Sequence, residues 1–184
     1  MFNYLLQDLR RNHKLTRERG GNFNLKGLII ITCFRVAQLG YSLYKKNPLG
    51  FVPYLFLTLP YRILFEGLIG IEIHPSTEIG PGLVIYHGQG IVIHKQCKIG
   101  CNCTLFHGVT LGTSSVKANL GDNSCVPVVG NNCSIGTGAI VIGDISIGEG
   151  AAIGAGAVVT KSVPSNAVAV GNPARILEKS LKSN

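Results

Sequence analysis

The segment GNNCSIGTGAIVIGDISIGEGAAIGAGAVV, residues 130–159, carries an aliphatic residue at every sixth position: Ile135, Val141, Ile147, Ile153 and Val159. Read upstream, Val129 holds the same phase. Eighteen residues before it, three repeats of six, stands Leu111, followed backwards by Leu105, Ile99 and Ile93. The phase then slips by two residues, to Ile91, Ile85, Ile79 and Ile73. A period of six fits neither one face of a helix nor the simple alternation of a strand. It fits a triangular coil with three flat sides, one hexapeptide per side, each coil stacked on the next. The aliphatic residue points into the prism. The residue four places later also points inward and has to be small. Thr77, Cys97, Cys103, Val109, Cys133, Ala139, Ala151 and Ala157 fit, whereas Leu83 and Ile145 are larger. Gly80-Pro81-Gly82, Gly136-Thr137-Gly138 and Gly154-Ala155-Gly156 fall where the chain turns a corner, and Gly tolerates the positive φ a corner can require.

A chain of 184 residues with 46% hydrophobic and only 14% charged residues has ample material for a core. Its net charge of +8 is uneven. Residues 1–50 hold nine Lys/Arg against two Asp/Glu, and the remainder holds eight against seven. Basicity therefore belongs to the N-terminal unit. A solvated helix surface explains it, and so does peripheral contact with an anionic membrane. No nucleic-acid-binding motif accompanies the charge, so nucleic acid is not an expected partner. Three of the six Cys (Cys97, Cys103, Cys133) sit on small inward positions, where Cys acts as a small hydrophobe. Cys101 adds no paired CxxC spacing, so no metal is expected. Free thiols in this number suggest a cytoplasmic protein.

Taken in order, residues 1–69 read as a basic helical unit. A short helix runs toward a hinge at Arg19-Gly20-Gly21. A second helix, 24–46, carries Leu25, Ile29, Cys33, Val36, Leu39 and Leu43 near one stripe and ends at Asn47-Pro48. A third helical stretch, 49–69, is expected to be interrupted by Pro53 and Pro60. Its apolar run is cut by Arg62 and Glu66 and is too short to suggest a membrane span. Packing against the coil or a neighbouring subunit is the expectation, with shallow membrane contact as the alternative. The coil domain runs from 70 to 176, with a loop at 112–128 projecting from it. The helical unit should cover one open end of the prism. The tail, 177–184, is polar.

Chemistry is expected beside the phase slip. His87 lies two places after Ile85, and His107 two places after Leu105. Their separation of twenty is one coil plus the slip, so both fall on one corner line. Glu72 precedes His87 by fifteen residues, nearly one coil. A carboxylate there can fix an imidazole tautomer and raise the basicity of the other nitrogen. For a lone corner His, a surface or packing role is the default. The slip and Glu72 together point to a general base. His74 and His94 each follow an inward aliphatic and should face outward, and His13 should be exposed. Zinc-binding coils of this type carry an H-x4-H pair, which these spacings do not match.

From Gly70 to Ile176 the sequence resembles the serine acetyltransferase branch of the hexapeptide-repeat acyltransferases. The matching pieces are Ile71-Glu72-Ile73-His74-Pro75, His87-Gly88-Gln89-Gly90-Ile91-Val92-Ile93, Gly108-Val109-Thr110-Leu111-Gly112 and Gly171-Asn172-Pro173-Ala174-Arg175-Ile176. The helical piece Phe34-Arg35-Val36-Ala37 is a weaker match. The resemblance implies a left-handed parallel β-helix, a mainly β fold here preceded by the small helical unit. It implies homotrimers with the site in the groove between neighbouring prisms, acetyl-CoA as donor and a hydroxyl as acceptor. It puts His87 on the catalytic His and Glu72 on the acid of its dyad. Gly112 and Thr113 fall on the loop lining the CoA channel, and Thr137 and Ala155 on corners whose backbone meets the pantetheine arm.

Two departures bear on the acceptor. The family has an Asp directly before the catalytic His, where this chain has Tyr86. The family's Arg-His pair for the serine carboxylate corresponds to Cys125 and Val126. An amino acid needs partners for both charged ends. The pattern resembles more closely the acetyltransferases of capsular, colanic-acid and other exopolysaccharide pathways. Tyr86 offers a sugar both a stacking face and a hydroxyl. The expectation is thus an acetyl-CoA-dependent O-acetyltransferase of a saccharide, with His87 and Glu72 catalytic, Tyr86 at the acceptor, and His107 either at the acceptor or only packing. A serine O-acetyltransferase with an altered pocket and a non-catalytic trimeric scaffold are the alternatives.

Overall fold

The computed structural model describes residues 2–18, 24–114 and 125–177. The expected hinge at Arg19-Gly20-Gly21, the centre of the expected loop and the polar tail from residue 178 lie outside the described residues. Three helices lead the chain: α1 (Phe2–Glu18), α2 (Leu25–Lys46) and α3 (Phe51–Tyr61), the last continuing as a wider π-helical segment, Arg62–Ile69. Asn24 starts α2, its side-chain oxygen accepting the Gly27 N–H at 3.1 Å. Asn47 ends α2, and its N–H donates to the Leu43 carbonyl.

The prolines do not interrupt the third helix as expected. Pro53 occupies the first turn, where its missing N–H has no intrahelical partner to lose. Pro60 lies inside α3, and the wider turns begin two residues after it. Widening the helix is one way to absorb the lost donor without breaking it. Gly70, at φ +71°, ends the segment in a conformation that favours glycine.

The rest is a parallel β solenoid with three faces. The first face stacks Glu72–Ile73, Val92–Ile93, Thr110–Gly112, Ile140–Ile142 and Val158–Val159. The second stacks Glu78–Ile79, Lys98–Ile99, Val128–Val129 and Ser146–Ile147. The third stacks Val84–Tyr86, Thr104–Phe106, Ser134–Ile135, Ala152–Ile153 and Val168–Val170, and Arg175–Leu177 closes it antiparallel to Val168–Val170. Every sixth-position aliphatic from Ile73 to Val159 is buried, and so are the small inward residues from Thr77 to Ala157. Larger Leu83 is buried in the first coil, and Ile145 packs partly buried against the core. Gly112 and Val128 belong to strands, so the excursion between them begins and ends inside those two positions.

Parallel ladders leave one edge of the first coil unpaired. The helical unit covers it, chiefly with side chains. Asn24 donates to the Ile85 carbonyl at 2.8 Å, Gln38 to Thr77 at 2.9 Å and Tyr61 to Ile73 at 2.9 Å. Arg35 donates to Ile79 at 2.9 Å and to Gly80 at 2.6 Å. Arg11 reaches the carbonyls of Gly82 and Cys103. Asp8 supplies the opposite polarity, accepting the Leu83 N–H at 2.8 Å while paired with Arg35 at 2.8 Å. Both members of that pair are buried, Arg35 to 2% exposure and Asp8 to 0%. The apolar face of α2 (Ile30, Ile31, Phe34, Ala37) fills the prism mouth against Ile71, Ile73 and Leu83.

Removing one partner of a buried ion pair strands the other. Arg35→Ala leaves Asp8 and two carbonyls uncompensated and should cost about 3–5 kcal/mol. Gln38→Ala, which frees a single carbonyl, should cost about 1 kcal/mol. Urea unfolding at fixed protein concentration measures both, and equal losses would contradict this role for the pair.

Candidate functional site

The two-residue slip has a defined place. Tyr86 pairs with Phe106, twenty residues on, while Val92 pairs with Thr110, eighteen on. Both extra residues therefore lie at the corner between Tyr86 and Val92. His87 is the first residue of that corner, exposed, at φ +65°, with Gly88 at +45° after it. A non-glycine residue at positive φ is uncommon, and such strain gathers at functional sites. The corner is held from beneath by α2. Asn24 bonds the Ile85 carbonyl, and a Cβ on Gly88 would fall 2.2 Å from the Ile30 side chain. The positive φ favours glycine there, and a side chain would have to displace the end of Ile30.

The structure brings His107 to His87. Their rings meet edge to face with centroids 5.6 Å apart. The residues before them stack: Tyr86 lies on Phe106 at 5.2 Å and 22°. The corner thus presents two imidazoles beside an aromatic pair. The Nδ1 atom of His107 is buried and has no hydrogen-bond partner among the described residues. Phe106 is absent from the sequence-based site, although it stands at the same twenty-residue offset from Tyr86 as His107 from His87.

Thr137 and Ala155 continue this corner line. Leu105 pairs with Ile135 and Ile135 with Ile153, which sets His107, Thr137 and Ala155 one above another. The His107 carbonyl accepts the Gly138 N–H at 2.9 Å, and the Thr137 carbonyl accepts the Gly156 N–H at 2.8 Å. Gly138 and Gly156 have positive φ, and a Cβ on either would meet nothing within 4 Å. The backbone is open along this line, which suits a slender chain lying against it.

Glu72, Gly112 and Thr113 collect on the adjoining first face. They line a groove of about 560 Å³ with Arg62, His74, His94 and Lys95. Glu72 is exposed, and among the described residues no hydrogen bond or ion pair joins it to His87. His74 and His94 do face outward, but each is half-buried in this groove rather than exposed. Burial lowers the pKa of both, assisted at His74 by Arg62 and at His94 by Lys95. Both imidazoles are therefore shifted towards the neutral form. His74 Nδ1 lies 2.7 Å from Ser76 Oγ. Val126 is buried in the core and Cys125 half-buried. Val126, which the resemblance sets against one member of an Arg-His pair, is a core residue.

The strain at His87 can be tested apart from chemistry. His87→Gly relieves the left-handed backbone, which should stabilise the fold by about 1 kcal/mol. A raised melting temperature is the expected result, and a lowered one would show that the His side chain itself supports the corner.

Comparison with known proteins places this geometry. Residues 127–161 match the bacterial transferase hexapeptide family (six repeats). The chain is 36% identical over 172 residues to the Escherichia coli (strain K12) protein named as the colanic acid biosynthesis acetyltransferase WcaB, covering 94% of this chain and 98% of that one. It is 37% identical over 154 residues to a serine acetyltransferase of Helicobacter pylori, covering 83% of this chain and 82% of that one. The solved serine acetyltransferase of Neisseria gonorrhoeae superposes with a TM-score of 0.77 at 31% identity, over 98% of this chain and 66% of the other. A solved serine acetyltransferase from Brucella abortus in complex with coenzyme A gives 0.76 at 30% identity, over 95% of this chain and 66% of that one. The chain belongs to the hexapeptide-repeat acetyltransferases and is an acyltransferase.

Proposed function

We propose that this chain transfers an acetyl group from acetyl-CoA to a hydroxyl of a saccharide. The observation that carries this reading is the corner itself. An aromatic pair, Tyr86 on Phe106, adjoins two imidazoles where the serine-specific pattern has an acid. An aromatic face suits the apolar face of a sugar ring, and the Tyr hydroxyl can hydrogen-bond its rim. With Val126 in the core, the pair expected to hold an amino-acid carboxylate is missing. The match to WcaB over nearly the whole of both chains supports the same reading. The serine acetyltransferase relatives support the alternative acceptor, L-serine, equally well at the level of the fold.

In this mechanism His87 accepts the proton of the acceptor hydroxyl as its oxygen attacks the thioester carbon. A C–O bond forms, the carbonyl becomes an oxyanion, and its collapse breaks the C–S bond. The departing thiolate takes the proton from His87, leaving the imidazole neutral. Backbone N–H groups near Gly88 or Gly112 are the candidate donors to the oxyanion. Glu72 acts as the orienting carboxylate of His87. His107 binds the acceptor. The pantetheine arm lies along the Thr137 and Ala155 corner, with Gly112 and Thr113 lining its channel. The working unit is a trimer with the site between prisms.

Thiol release from acetyl-CoA tests this directly, with exopolysaccharide oligosaccharides in one series and L-serine in another. Release with saccharide alone is expected, and release with serine alone would overturn the acceptor assignment. His87→Ala should lower kcat by about 10²–10⁴-fold with the fold intact. Tyr86→Ala should raise KM for the saccharide by about tenfold, the equivalent of one lost stacking contact. Full activity in His87→Ala would remove the mechanism.

A further inference from the structure

The helical unit is apolar on two sides, and only one of them faces the coil. On α2, Ile30, Ile31, Phe34 and Ala37 are buried against the prism. The stripe read from the sequence lies on the other side, with Leu25, Ile29, Val36, Leu39 and Leu43 exposed. The third helix adds Phe51, Val52, Leu55, Phe56, Leu59, Ile63, Leu64 and Leu68, with Phe56 at 74% and Leu68 at 76% exposure. Of the 22 exposed large apolar residues among the described residues, 15 lie between Leu25 and Leu68. A further groove of about 280 Å³, lined by Cys33, Val36, Phe56, Pro60 and Leu64 among others, runs between the two helices. A helix that is apolar all round is normally covered all round.

We propose that this face docks on the surface of an anionic lipid bilayer. The charge around it selects the occupant. Lys26 precedes Ile29 by three residues and Lys46 follows Leu43 by three, so a cation stands at each end of the α2 stripe. Lys45 is beside Lys46, and Arg62 stands among the exposed apolar residues of the third helix. Lys26, Lys45 and Lys46 are exposed and form no ion pair among the described residues. From 24 to 69 the single acid is Glu66, which Arg62 already holds at 2.8 Å. An apolar face rimmed by unpaired cations is complementary to acyl chains beneath anionic headgroups. A second copy meeting this face with its own would set like charges against each other.

The contact is with the surface and not across it. The helices Leu25–Lys46 and Phe51–Ile69 are both long and apolar enough to span by length and composition, the second despite Arg62 and Glu66, contrary to the expectation that these cut its run too short. However, α2 is fastened to the first coil by Asn24, Arg35 and Gln38. Its coil-facing side cannot be surrendered to lipid without unpairing that edge. The hairpin therefore lies in the interface with its outer side immersed.

Flotation of the full chain with vesicles tests this. One set is phosphatidylcholine alone, and the other is phosphatidylcholine with one third phosphatidylglycerol. The wild type should float with the anionic vesicles, and less so as salt is raised. The Lys45→Glu, Lys46→Glu double variant should lose at least about tenfold in apparent affinity, with an unchanged melting temperature. Phe56→Ser with Leu59→Ser should lose binding while its sedimentation mass stays that of the wild type. Failure of the wild type to float with either vesicle would overturn the proposal. So would a fall in sedimentation mass in the Phe56→Ser, Leu59→Ser variant, which would place a second copy on this face.

Discussion

The unpaired edge of the first coil is the constraint on which the rest depends. A solenoid of parallel strands satisfies its backbone by stacking, so each coil relies on its neighbours and the first has none below. Buried carbonyls left without donors would each carry a desolvation cost. This chain answers with side chains from the helices: Asn24, Arg35, Gln38 and Tyr61 donate to five carbonyls on the edge, and Asp8 accepts the Leu83 N–H. The Asp8–Arg35 pair is tolerable in the interior because each partner also bonds the edge it covers. The helical unit is therefore a fitted lid, and its orientation on the coil is set by hydrogen bonds as well as by apolar packing.

The same lid reaches the corner where the slip occurs. Ile30 lies under Gly88 and Asn24 bonds Ile85, so α2 bears directly on the backbone that carries His87. A corner with two extra residues would otherwise be a loose bulge. Here His87 is held at positive φ, projecting beside His107 and above the Tyr86–Phe106 stack. Catalytic geometry in this account is a consequence of how the first coil is closed.

Much of the coil was legible in the sequence because a period of six has a single physical solution. Each inward position, from Ile73 to Val159, could be named from spacing alone. The stacking of His107 on His87 followed from the same arithmetic. The helical unit was less legible. Periodicity located α2 but could not say which of its two apolar sides meets the coil, since both satisfy the helical period. Proline propensity misjudged the third helix because Pro53 falls in the first turn and a widened turn absorbs Pro60. The buried Asp8 and Arg35 read as ordinary surface charges, since nothing local marks a pair separated by 27 residues. Within the site, spacing suggested a Glu72–His87 pair, whereas Glu72 lines the groove on the first face with no bond to His87 among the described residues, and Phe106 carries no chemical signature as an aromatic alone.

The most direct measurement is made on a chain lacking His87 and Gly88. Deleting both restores the eighteen-residue spacing that the later coils use and joins Tyr86 to Gln89, as Phe106 joins His107. If the slip exists to present the catalytic base, this chain should keep its β-rich circular dichroism and melt no lower than wild type. It should also release no thiol from acetyl-CoA with any saccharide acceptor. Retained acetyl transfer would contradict the central claim, because the reaction would then be carried by residues elsewhere.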